Sequence, residues 1–494
     1  MKFKFKILSF LLIVIITLNI SGCSNTKDAY IYFELPEPPL TVDPQIASSD
    51  SELILVQNIY EGLLRKNSNG DIVCGVAEKY SVNGLTYTFN LRKDAVWSNG
   101  EPVTADDFVF GFARAVSPET KSPFASKLFS IKGALEIYQG KATKKELGVK
   151  VINSHTLSIT LKTKDPDFEE ALTTSVAMPC NEDFFLKAAG KYGLFADNII
   201  CNGSYKLTRW RKDPFGIRLY RYQEYIGDFE SENAAVFLTC DPEEPTIEKL
   251  QKNSVDMAFI DCTLSEEAKN KSLKIKEFQN ICWVLTLRDE FSYNMRKSLS
   301  MLVGGEVYSN SLPIGYTVAA SLFPSVICEQ NILTDITAYN PTAAKNLYLE
   351  EIKNYENKKF PSDTTLYYYD NGSIKNVVTD IVGHWQSNLS AFVNIEAVSD
   401  SELLTSQLTE QNYAMSLFPI SAKSTEIDEY LAKYNINYTN QDLNNIQAEI
   451  LKTNNIVPVM FQNTVIAYSP ALENVNTVFG NGYIDFSFII KQES

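Results

Sequence analysis

One stretch, residues 85–114, constrains the fold more than any other because a strand, a turn and a helix follow one another within it. Residues 86–91 alternate polar and apolar side chains, and this period of two predicts a half-buried strand. Asn99-Gly100 predicts a tight turn, since both residues tolerate a positive φ. Thr104 can cap a helix with acidic residues in its first turn. That helix would bury apolar side chains at helical spacing: Phe108, Phe112, Ala115 and Val116.

The length of the chain predicts more than one domain. It has 494 residues, and at ~150 residues per domain this suggests about three lobes. Hydrophobic residues make up 45% of the chain and charged residues 21%. This balance is typical of a globular protein rather than a disordered or polytopic one.

The charge of the chain argues against two kinds of partner. The formal net charge is −15, and loss of a leader carrying three lysines and no acidic residue takes it to −18. A nucleic-acid-binding protein needs a basic face, so nucleic acid is not expected as a partner. The same charge argues against electrostatic docking to a membrane. The simplest role of the acidic surface is solubility.

Residues that carry catalysis or bind metals are few. The two histidines, His155 and His384, lie far apart in sequence, and the eight cysteines form no CxxC pair. The sequence therefore predicts neither a metal site nor a cofactor. No phosphate-binding loop, nucleophile elbow or HExxH motif occurs. This favours a binding protein over an enzyme, and a secreted hydrolase is disfavoured because no nucleophile–histidine–acid constellation is evident.

The first 22 residues have the pattern of a signal peptide. Three lysines precede the apolar run Ile7–Ile20, which at 14 residues is shorter than the ~20 that span a bilayer. The run ends in Ile20-Ser21-Gly22-Cys23, which resembles a lipobox. The resemblance implies cleavage before Cys23, diacylglyceryl transfer to its thiol, and a protein anchored at the outer face of the cytoplasmic membrane. An uncleaved anchor helix is the alternative.

The stretch 85–114 belongs to a longer series of short motifs in a fixed order. The others are Asp43-Pro44, Tyr60-Glu61-Gly62-Leu63, Gly75-Val76-Ala77-Glu78 and the segment from Pro118 to Ala125. The series resembles the family-5 extracellular solute-binding proteins, the oligopeptide- and dipeptide-binding components of ABC importers. So many matches in one order are far more specific than a single short motif.

The resemblance implies an α/β, periplasmic-binding-protein-like fold (type II, cluster C), a two-lobed clamshell with an extra lobe. The expected segments are a leader at 1–22, lobe I at 23–60, 177–275 and 471–494, the accessory lobe II at 61–176, and lobe III at 276–470. A ligand would be trapped as the lobes close, and a permease would recognise the closed state. The protein is expected to be a monomer.

One segment departs from the resemblance where the ligand would be held. Peptide binders of the family hold the peptide backbone, partly as an added strand, and capture its free amine with an aspartate on lobe III. Lys423 stands at the aligned position, Ile420 replaces the family's tryptophan, and no aspartate occurs between Tyr413 and Glu426. A cleft-facing Lys423 would favour a carboxylate or phosphate group. The alternative is a solvated loop lysine.

Two other places are candidate ligand contacts. Phe124 stands at a cleft-facing aromatic position of the family and would stack on a ligand without offering a hydroxyl. The loop from Thr41 to Ser51 includes Ser48 and Ser49, which can supply hydrogen bonds. For each of these residues a plain surface-loop role is the alternative.

Elsewhere the patterns predict further elements. Strands are expected at 29–35, 156–161, 217–221, 235–239, 366–370, 393–398 and 456–461, and helices at 53–64, 245–252 and 374–389. Gly203 is expected to serve a bend rather than a ligand, and the C-terminal tail is expected to return to lobe I. Seven cysteines remain besides Cys23, an odd number, and buried free thiols are expected for most of them.

Together these observations predict a lipid-anchored extracytoplasmic solute-binding protein. It would capture peptides or peptide-like solutes in an interlobe cleft and deliver them to an ABC transporter permease, without covalent chemistry. The alternative is a sensory or regulatory lipoprotein that keeps the scaffold with altered or lost ligand specificity. Neighbouring permease genes would favour the first hypothesis.

Overall fold

The structure is a computed structural model that describes residues 29–327, 339–398, 413–422, 443–475 and 484–492. The strands are β1 (Tyr30–Glu34), β2 (Leu64–Lys66), β3 (Ile72–Cys74), β4 (Ala77–Asn83), β5 (Thr86–Leu91), β6 (Val149–Asn153), β7 (Thr156–Thr160), β8 (Tyr205–Lys212), β9 (Phe215–Arg221), β10 (Ala235–Thr239), β11 (Met257–Ile260), β12 (Lys274–Leu287), β13 (Tyr316–Val318), β14 (Thr365–Tyr369), β15 (Asn394–Val398), β16 (Met415–Ser421), β17 (Ile456–Tyr468), β18 (Leu472–Glu473) and β19 (Ile490–Lys491). The α-helices are α1 (Asp50–Ile59), α2 (Ala105–Ala115), α3 (Ala134–Tyr138), α4 (Phe168–Ala171), α5 (Glu182–Lys187), α6 (Thr246–Gln251), α7 (Ser265–Asn270), α8 (Tyr293–Ser300), α9 (Gly305–Tyr308), α10 (Pro341–Glu351), α11 (Lys375–Leu389) and α12 (Leu443–Lys452).

Eleven strands form one large mixed sheet. Their order is β15-β14-β16-β12-β17-β11-β1-β10-β9-β8, and β13 also pairs with β17. The half from β8 to β11 contains the parallel pairs β1-β10 and β1-β11, and the half from β16 to β15 contains the parallel pairs β14-β16 and β14-β15. Each half therefore has parallel strands of its own, as α/β units do.

Two long strands join these halves. β12 has 14 residues and β17 has 13, and they pair antiparallel along most of their length. The last part of β17 also pairs with β11, whereas the last part of β12 pairs with β16. The register of β12 on β17 slips between Gln279 and Ile281, so Asn280 forms a β-bulge. We call the residues around this bulge, 279–283 and 460–464, the crossing.

A separate four-stranded antiparallel sheet, β4-β5-β7-β6, carries the stretch that constrained the sequence analysis. The expected strand is β5, and Gly100 in the turn has φ 86°. Thr104 and Asp107 form a capping box at the start of α2. All four predicted core residues of this unit are fully buried: Phe108, Phe112, Ala115 and Val116. The expected strand, turn and helix are confirmed.

Buried side chains form four cores. The first and largest joins the inner faces of β1, β8 and β9 to α1, α2 and the separate sheet. The second packs α8 and α11 on the half of the large sheet that contains β14 and β16. The third lies under α12, and the fourth lies under α6 and α7.

The C-terminal residues return to the first core. Asn58 Nδ2 donates to Ile484 O (2.6 Å), and Phe486 N donates to Asn58 Oδ1 (2.8 Å). Asp485 forms an ion pair with Arg65. Both partners are almost completely buried, so this contact fixes the tail as a permanent part of the first core. The lobe boundaries given above stay predictions.

One predicted helix is confirmed, and another is wrong at its ends. The predicted helix 374–389 is confirmed as α11, and four apolar residues on its inner face are fully buried: Val377, Val378, Ile381 and Trp385. The predicted helix 53–64 is wrong at both ends, because α1 begins at Asp50 and ends at Ile59. There the Ile59 carbonyl accepts from Asn202 N and Gly203 N, and Glu61 N donates to Asn202 Oδ1 (3.1 Å). These distant contacts replace the next helical turn.

Six cysteines in the described part of the chain are free thiols, and four of them are buried, as expected for the majority. The buried thiols are Cys180, Cys201, Cys262 and Cys282. Among the described residues, none of the helices combines the length and the apolar character that a membrane span requires. The expectations for the leader, Cys23 and Lys423 lie outside the described residues.

Candidate functional site

At the crossing, hydrogen bonds to one amide residue hold three strands together. Asn280 Oδ1 accepts from Thr464 N (3.2 Å), and Asn280 O accepts from Ala422 N (2.7 Å), just beyond β16. Asn280 is 8% exposed. Because a bulge interrupts regular pairing, these bonds determine how β12, β16 and β17 meet. No charged side chain takes part in them.

Gln279, next to the bulge, connects a loop to the crossing. Its Nε2 donates to Thr317 Oγ1 (3.3 Å) and its Oε1 accepts from Ser325 N (3.3 Å). Thr317 belongs to β13, which within the described residues pairs with β17 alone. Among the described residues, no strand pairs with the other edge of β13. An open edge of this kind can accept an extended chain as an added strand.

Beside β13, Trp283 anchors a cluster of aromatic and amide side chains. Its Nε1 donates to Gln462 Oε1 (2.8 Å), and its ring stacks on Tyr369 (centroids 6.1 Å apart, 27°). The Tyr316 hydroxyl accepts from Asn371 Nδ2 (2.6 Å), and burial raises the pKa of Tyr316, so this hydroxyl stays protonated at neutral pH. Gln462, Tyr369 and Asn371 are half-buried. Trp283 itself is fully buried, so only the half-buried members of the cluster, Gln462, Tyr369 and Asn371, can face a solute at the crossing.

The predicted ligand loop, 41–51, is held from beneath by a buried ion pair. Arg114 donates from both Nη atoms to the Asp43 carboxylate (3.1 and 2.6 Å) and from Nη1 to Gln45 Oε1 (2.6 Å). Burial lowers the pKa of Arg114, but the hydrogen bonds and charge of Asp43 raise it by more, so it lies above its ordinary value. Asp43 is 3% exposed. Its carboxylate is thus committed to Arg114 rather than free for a ligand amine.

Ser48 and Ser49, on the same loop, have different surroundings. Ser49 caps α1, because its hydroxyl accepts from Glu52 N (3.3 Å) while Glu52 Oε2 accepts from Ser49 N (3.1 Å). Ser48 N donates to the same Glu52 oxygen (2.8 Å), and Ser48 itself is exposed. Ser48 is therefore the more accessible of the two predicted contacts.

Phe124 and Ile420 lie in different cores. Phe124 is half-buried against the first core and precedes the 3₁₀ turn Ala125–Leu128. Ile420 is 8% exposed within the third core, opposite Cys282 in the pairing of β16 with β12. The structure gives Ile420 a packing role that the sequence comparison did not anticipate. Its predicted contact with a ligand stays a prediction, as does that of Phe124.

The sequence analysis missed the crossing itself. Nothing local marks Asn280 as a bulge, because the bulge exists only through pairing with residues 184 positions away. The available signal was length: the segments that became β12 and β17 are longer than a strand of one small sheet needs. A strand of that length can serve two sheet halves at once.

A cavity of about 550 Å³ lies elsewhere, between Phe291, Thr364, Tyr367 and Tyr413. It opens at the end of β16 where Met415 pairs with Leu287, whereas the opposite end of β16 meets the crossing. The cavity contains none of the predicted site residues. Within the described residues, no three His, Cys, Asp or Glu side chains are grouped so that they could hold a metal ion.

Comparison with known proteins agrees with the sequence motifs. The family of bacterial extracellular solute-binding proteins, family 5 Middle, matches residues 42–442. The oligopeptide-binding protein OppA of Bacillus subtilis (strain 168) is 31% identical over 238 residues, 46% of this chain and 44% of that protein. The periplasmic oligopeptide-binding protein OppA of Escherichia coli (strain K12) is 33% identical over 245 residues, 49% of this chain and 43% of that protein. The alignments thus span less than half the length of these relatives.

The likeness of fold extends further than these alignments. The structure of OppA from Burkholderia pseudomallei superimposes with a TM-score of 0.77 over 95% of this chain and 100% of that one, at 20% sequence identity. The predicted α/β, periplasmic-binding-protein-like fold is therefore confirmed. Because the family match extends over most of the sequence, the chain belongs to family 5 of the bacterial extracellular solute-binding proteins.

Proposed function

We propose that the protein captures peptides or peptide-like solutes between its two sheet halves and delivers them to the permease of an ABC importer. The observation that carries the proposal is the crossing, where two long strands with a bulge at Asn280 join two α/β halves in a chain of family 5. A joint of this kind lets the halves rotate, and a ligand bound between them favours the closed arrangement. The OppA relatives are named for binding oligopeptides.

The predicted lobes fit this proposal as its moving parts. Lobe I (23–60, 177–275 and 471–494) would close on lobe III (276–470) about the crossing. Lobe II (61–176) would move together with lobe I as one body, because the first core joins them. Closure excludes water from the ligand, so that a few hydrogen bonds gain discriminating power. The protein would act as a monomer, with no covalent step.

The ligand would be held mainly through its backbone. The edge of β13 away from β17 would offer main-chain groups to an extended peptide, and the half-buried ring of Tyr369 would lie nearby. Phe124, Ser48, Ser49, Ile420 and Lys423 remain the proposed side-chain contacts. Since Lys423 replaces an amine-capturing aspartate, we expect preference for amine-blocked or anionic solutes over peptides with a free amine.

A lipid anchor would place this binding protein where a permease can be reached. Cleavage of residues 1–22 and diacylglyceryl transfer to Cys23 would hold it at the outer face of the cytoplasmic membrane. Replacing Cys23 with Ser is expected to move the protein from the membrane fraction to the medium or periplasm. Cell fractionation and the mass of the N-terminal fragment check this part independently of ligand binding.

The capture of a solute is tested by thermal shift on the chain from Ser24 to Ser494, which keeps every described residue. The ligands are mixed peptides with free amines, the same peptides N-acetylated, amino acids, sugars and anionic metabolites. A ligand at 100 times its Kd stabilises the folded state by ~2.7 kcal/mol. Stabilisation by any peptide class supports the proposal, and recovery of the peptide at unchanged mass shows that it is not turned over.

Two outcomes decide between the hypotheses. Stabilisation by free-amine peptides alone would contradict the expected role of Lys423. The variant Lys423→Gln shows whether Lys423 determines which peptides stabilise the protein. Its control is Lys144→Gln, which removes an exposed lysine from another segment. Stabilisation by none of the classes would contradict solute capture. It would favour the sensory or regulatory alternative, in which the scaffold is kept with lost specificity.

A further inference from the structure

One face of the large sheet is covered at one end and open at the other. Over β11 and β17 the fourth core covers it, where Ala258 and Ala467 are fully buried under α6 and α7. Cross-strand partners show that the same face continues over β1, β10, β9 and β8. There the side chains that point outward are half-buried or exposed: Tyr30, Tyr32, Phe237, Tyr220, Arg218, Arg209 and Arg211. We call these seven residues the arginine–tyrosine face.

The aromatic part of this face is a continuous patch of rings. Tyr30 stacks on Phe237 (centroids 5.4 Å apart, 13°), and Tyr32 and Tyr220 also contact Phe237 (5.2 and 6.1 Å). Tyr30 is 40% exposed. Tyrosines with an apolar ring and a polar tip suit a boundary between water and an apolar phase.

The basic part of the face places three arginines together. Arg209 lies opposite Arg218 on the paired strands, and Arg211 is two residues further along the same strand and face. Within the described residues none of the three has an ion pair, and the Arg218 guanidinium lies 5.2 Å from the Phe237 ring. Desolvation, then Arg211 and Arg218, lower the pKa of Arg209. Like charges opposite one another destabilise a sheet, so this cluster of arginines in a chain of net charge −15 favours an anionic binding partner.

The chain enters the fold at this same face. Tyr30 begins β1 and follows Cys23 by seven residues, a distance that an extended chain covers in at most ~25 Å. If Cys23 carries the proposed lipid, β1 cannot lie further than this from the membrane surface. This step rests on the proposed anchoring.

We propose that the arginine–tyrosine face docks on the anionic phosphate headgroups of the membrane, with the arginines on lipid phosphates and the rings at the headgroup boundary. The net negative charge of the chain argued against electrostatic docking to a membrane. Salt screens charges beyond ~8 Å, however, so the positive charge of this face determines whether the face attracts lipid phosphates. β8 is five strand spacings from β17, ~24 Å at ~4.8 Å each. Docking would therefore leave the crossing free and orient it relative to the bilayer.

The test uses the chain from Ser24 to Ser494, without an anchor, and vesicles of phosphatidylglycerol brominated in the acyl chains. Trp210 lies on the opposite face of β8, where it packs against the first core, and the other three tryptophans are fully buried. The variant Tyr30→Trp therefore supplies the reporter, because Tyr30 is 40% exposed on the arginine–tyrosine face. Bromine quenches only nearby indoles, so quenching gained with Tyr30→Trp reports contact of this face with lipid. We expect sedimentation with the vesicles at low salt, quenching of the indole introduced by Tyr30→Trp, and neither effect with phosphatidylcholine vesicles. The triple variant R209S/R211S/R218S is expected to bind about a hundredfold more weakly, at roughly fivefold per arginine.

The matched control is K144S/K145S/K150S, which removes three exposed positive charges from another part of the chain. It is expected to bind like the parent. Equal weakening in both variants, absence of binding by the parent, or binding without quenching would each overturn the proposal. If only transport in cells were lost in the arginine variant, the face would serve a protein partner and lipid docking would be contradicted. Unchanged solute-induced thermal shift in that variant separates this result from failure of the proposed function.

Discussion

The base of the ligand loop and Asn280 at the crossing are both buried, yet they are held by different kinds of bond. Beneath the loop, Arg114 and Asp43 form an ion pair with two hydrogen bonds. At the crossing, Asn280 and Gln279 bind neighbouring strands through neutral amide and main-chain groups. A buried ion pair is strongly destabilised when one partner is displaced. A neutral hydrogen bond contributes ~1 kcal/mol net and exchanges readily with another.

A second charged cluster strengthens this contrast. The Arg65 guanidinium binds Asp485 and Glu61 and lies 3.7 Å from the Phe229 ring, and Tyr225 donates to Glu61 (2.6 Å). Burial, followed by the charge of Glu61, raises the pKa of Tyr225, so its hydroxyl remains a donor. Asp43, Glu61, Arg65 and Arg114, which supply most of the charges in the two clusters, lie in the part of the sequence that carries most of the family motifs. We infer that charge fixes the scaffold, while neutral bonds at the crossing permit movement.

The largest expected effect comes from breaking the ion pair under the loop. Arg114→Met would leave the Asp43 carboxylate buried without its cation, and this is expected to cost about 3–5 kcal/mol of unfolding free energy. Calorimetric or chemical unfolding measures the loss. The double variant D43N/R114M is expected to recover part of it, because no uncompensated charge remains.

The control for this experiment is Lys162→Met. Lys162 pairs with Glu136 on the surface, where both side chains are largely exposed, and its loss is expected to have no measurable effect. If Arg114→Met were as harmless as this control, the contrast between a charged scaffold and a neutral crossing would fail.

The scaffold was predictable because its signals are local. The capping box of α2 and the alternation of β5 lie within 30 residues of sequence, and both are found where expected. The end of α1 was not predictable, because Glu61 N bonds to Asn202, 141 positions away. The capping role of Ser49 could have been recognised, since Glu52 follows it by three residues.

The candidate site was less predictable than the fold. Ile420 was assigned from its position in an aligned motif, yet the side chain packs in the third core, whose other members come from distant segments. The bulge at Asn280 likewise depends on its partner strand. Local periodicity reports which face of an element is buried. It cannot report where two long strands slip out of register.

An intermediate effect is expected at the crossing. Asn280→Ala would leave Thr464 N without its acceptor in a part-buried position, at a cost of about 1 kcal/mol, less than for the ion pair. Because the bulge joins the sheet halves, we also expect a changed affinity for whichever solute stabilises the parent. Unfolding and isothermal titration together measure the two effects.

Asn455 provides the control outside the crossing, because it directly precedes β17 and its Nδ2 donates to Asp289 at an exposed site (3.2 Å). Asn455→Ala is expected to change unfolding free energy by less than ~0.5 kcal/mol. A loss of stability at Asn280 as large as that at Arg114 would show that the crossing is as rigid as the scaffold.

The smallest and most direct test compares two buried thiols. Burial raises the pKa of Cys180, beside Arg114, and of Cys262, beside β13, each to about 11. Both thiols therefore stay protonated at neutral pH in the folded protein, and alkylation of either requires opening of its surroundings.

We expect Cys262 to be alkylated at least ~10-fold faster than Cys180, because Cys180 lies beside the buried ion pair whereas Cys262 contacts the short segment before β13, a difference of ~1.4 kcal/mol in opening. Mass spectrometry of tryptic fragments after pulsed labelling measures both rates. Because the opened thiol is the one that reacts, each rate should rise about tenfold per pH unit up to about pH 9, and a bound solute should slow Cys262 alone. Unfolded thiols ionise first, near pH 9, so the stability that these groups contribute falls as the pH rises from there towards about 11. Equal rates at the two sites would mean that the crossing opens no more readily than the scaffold, and closure about Asn280 would then be contradicted.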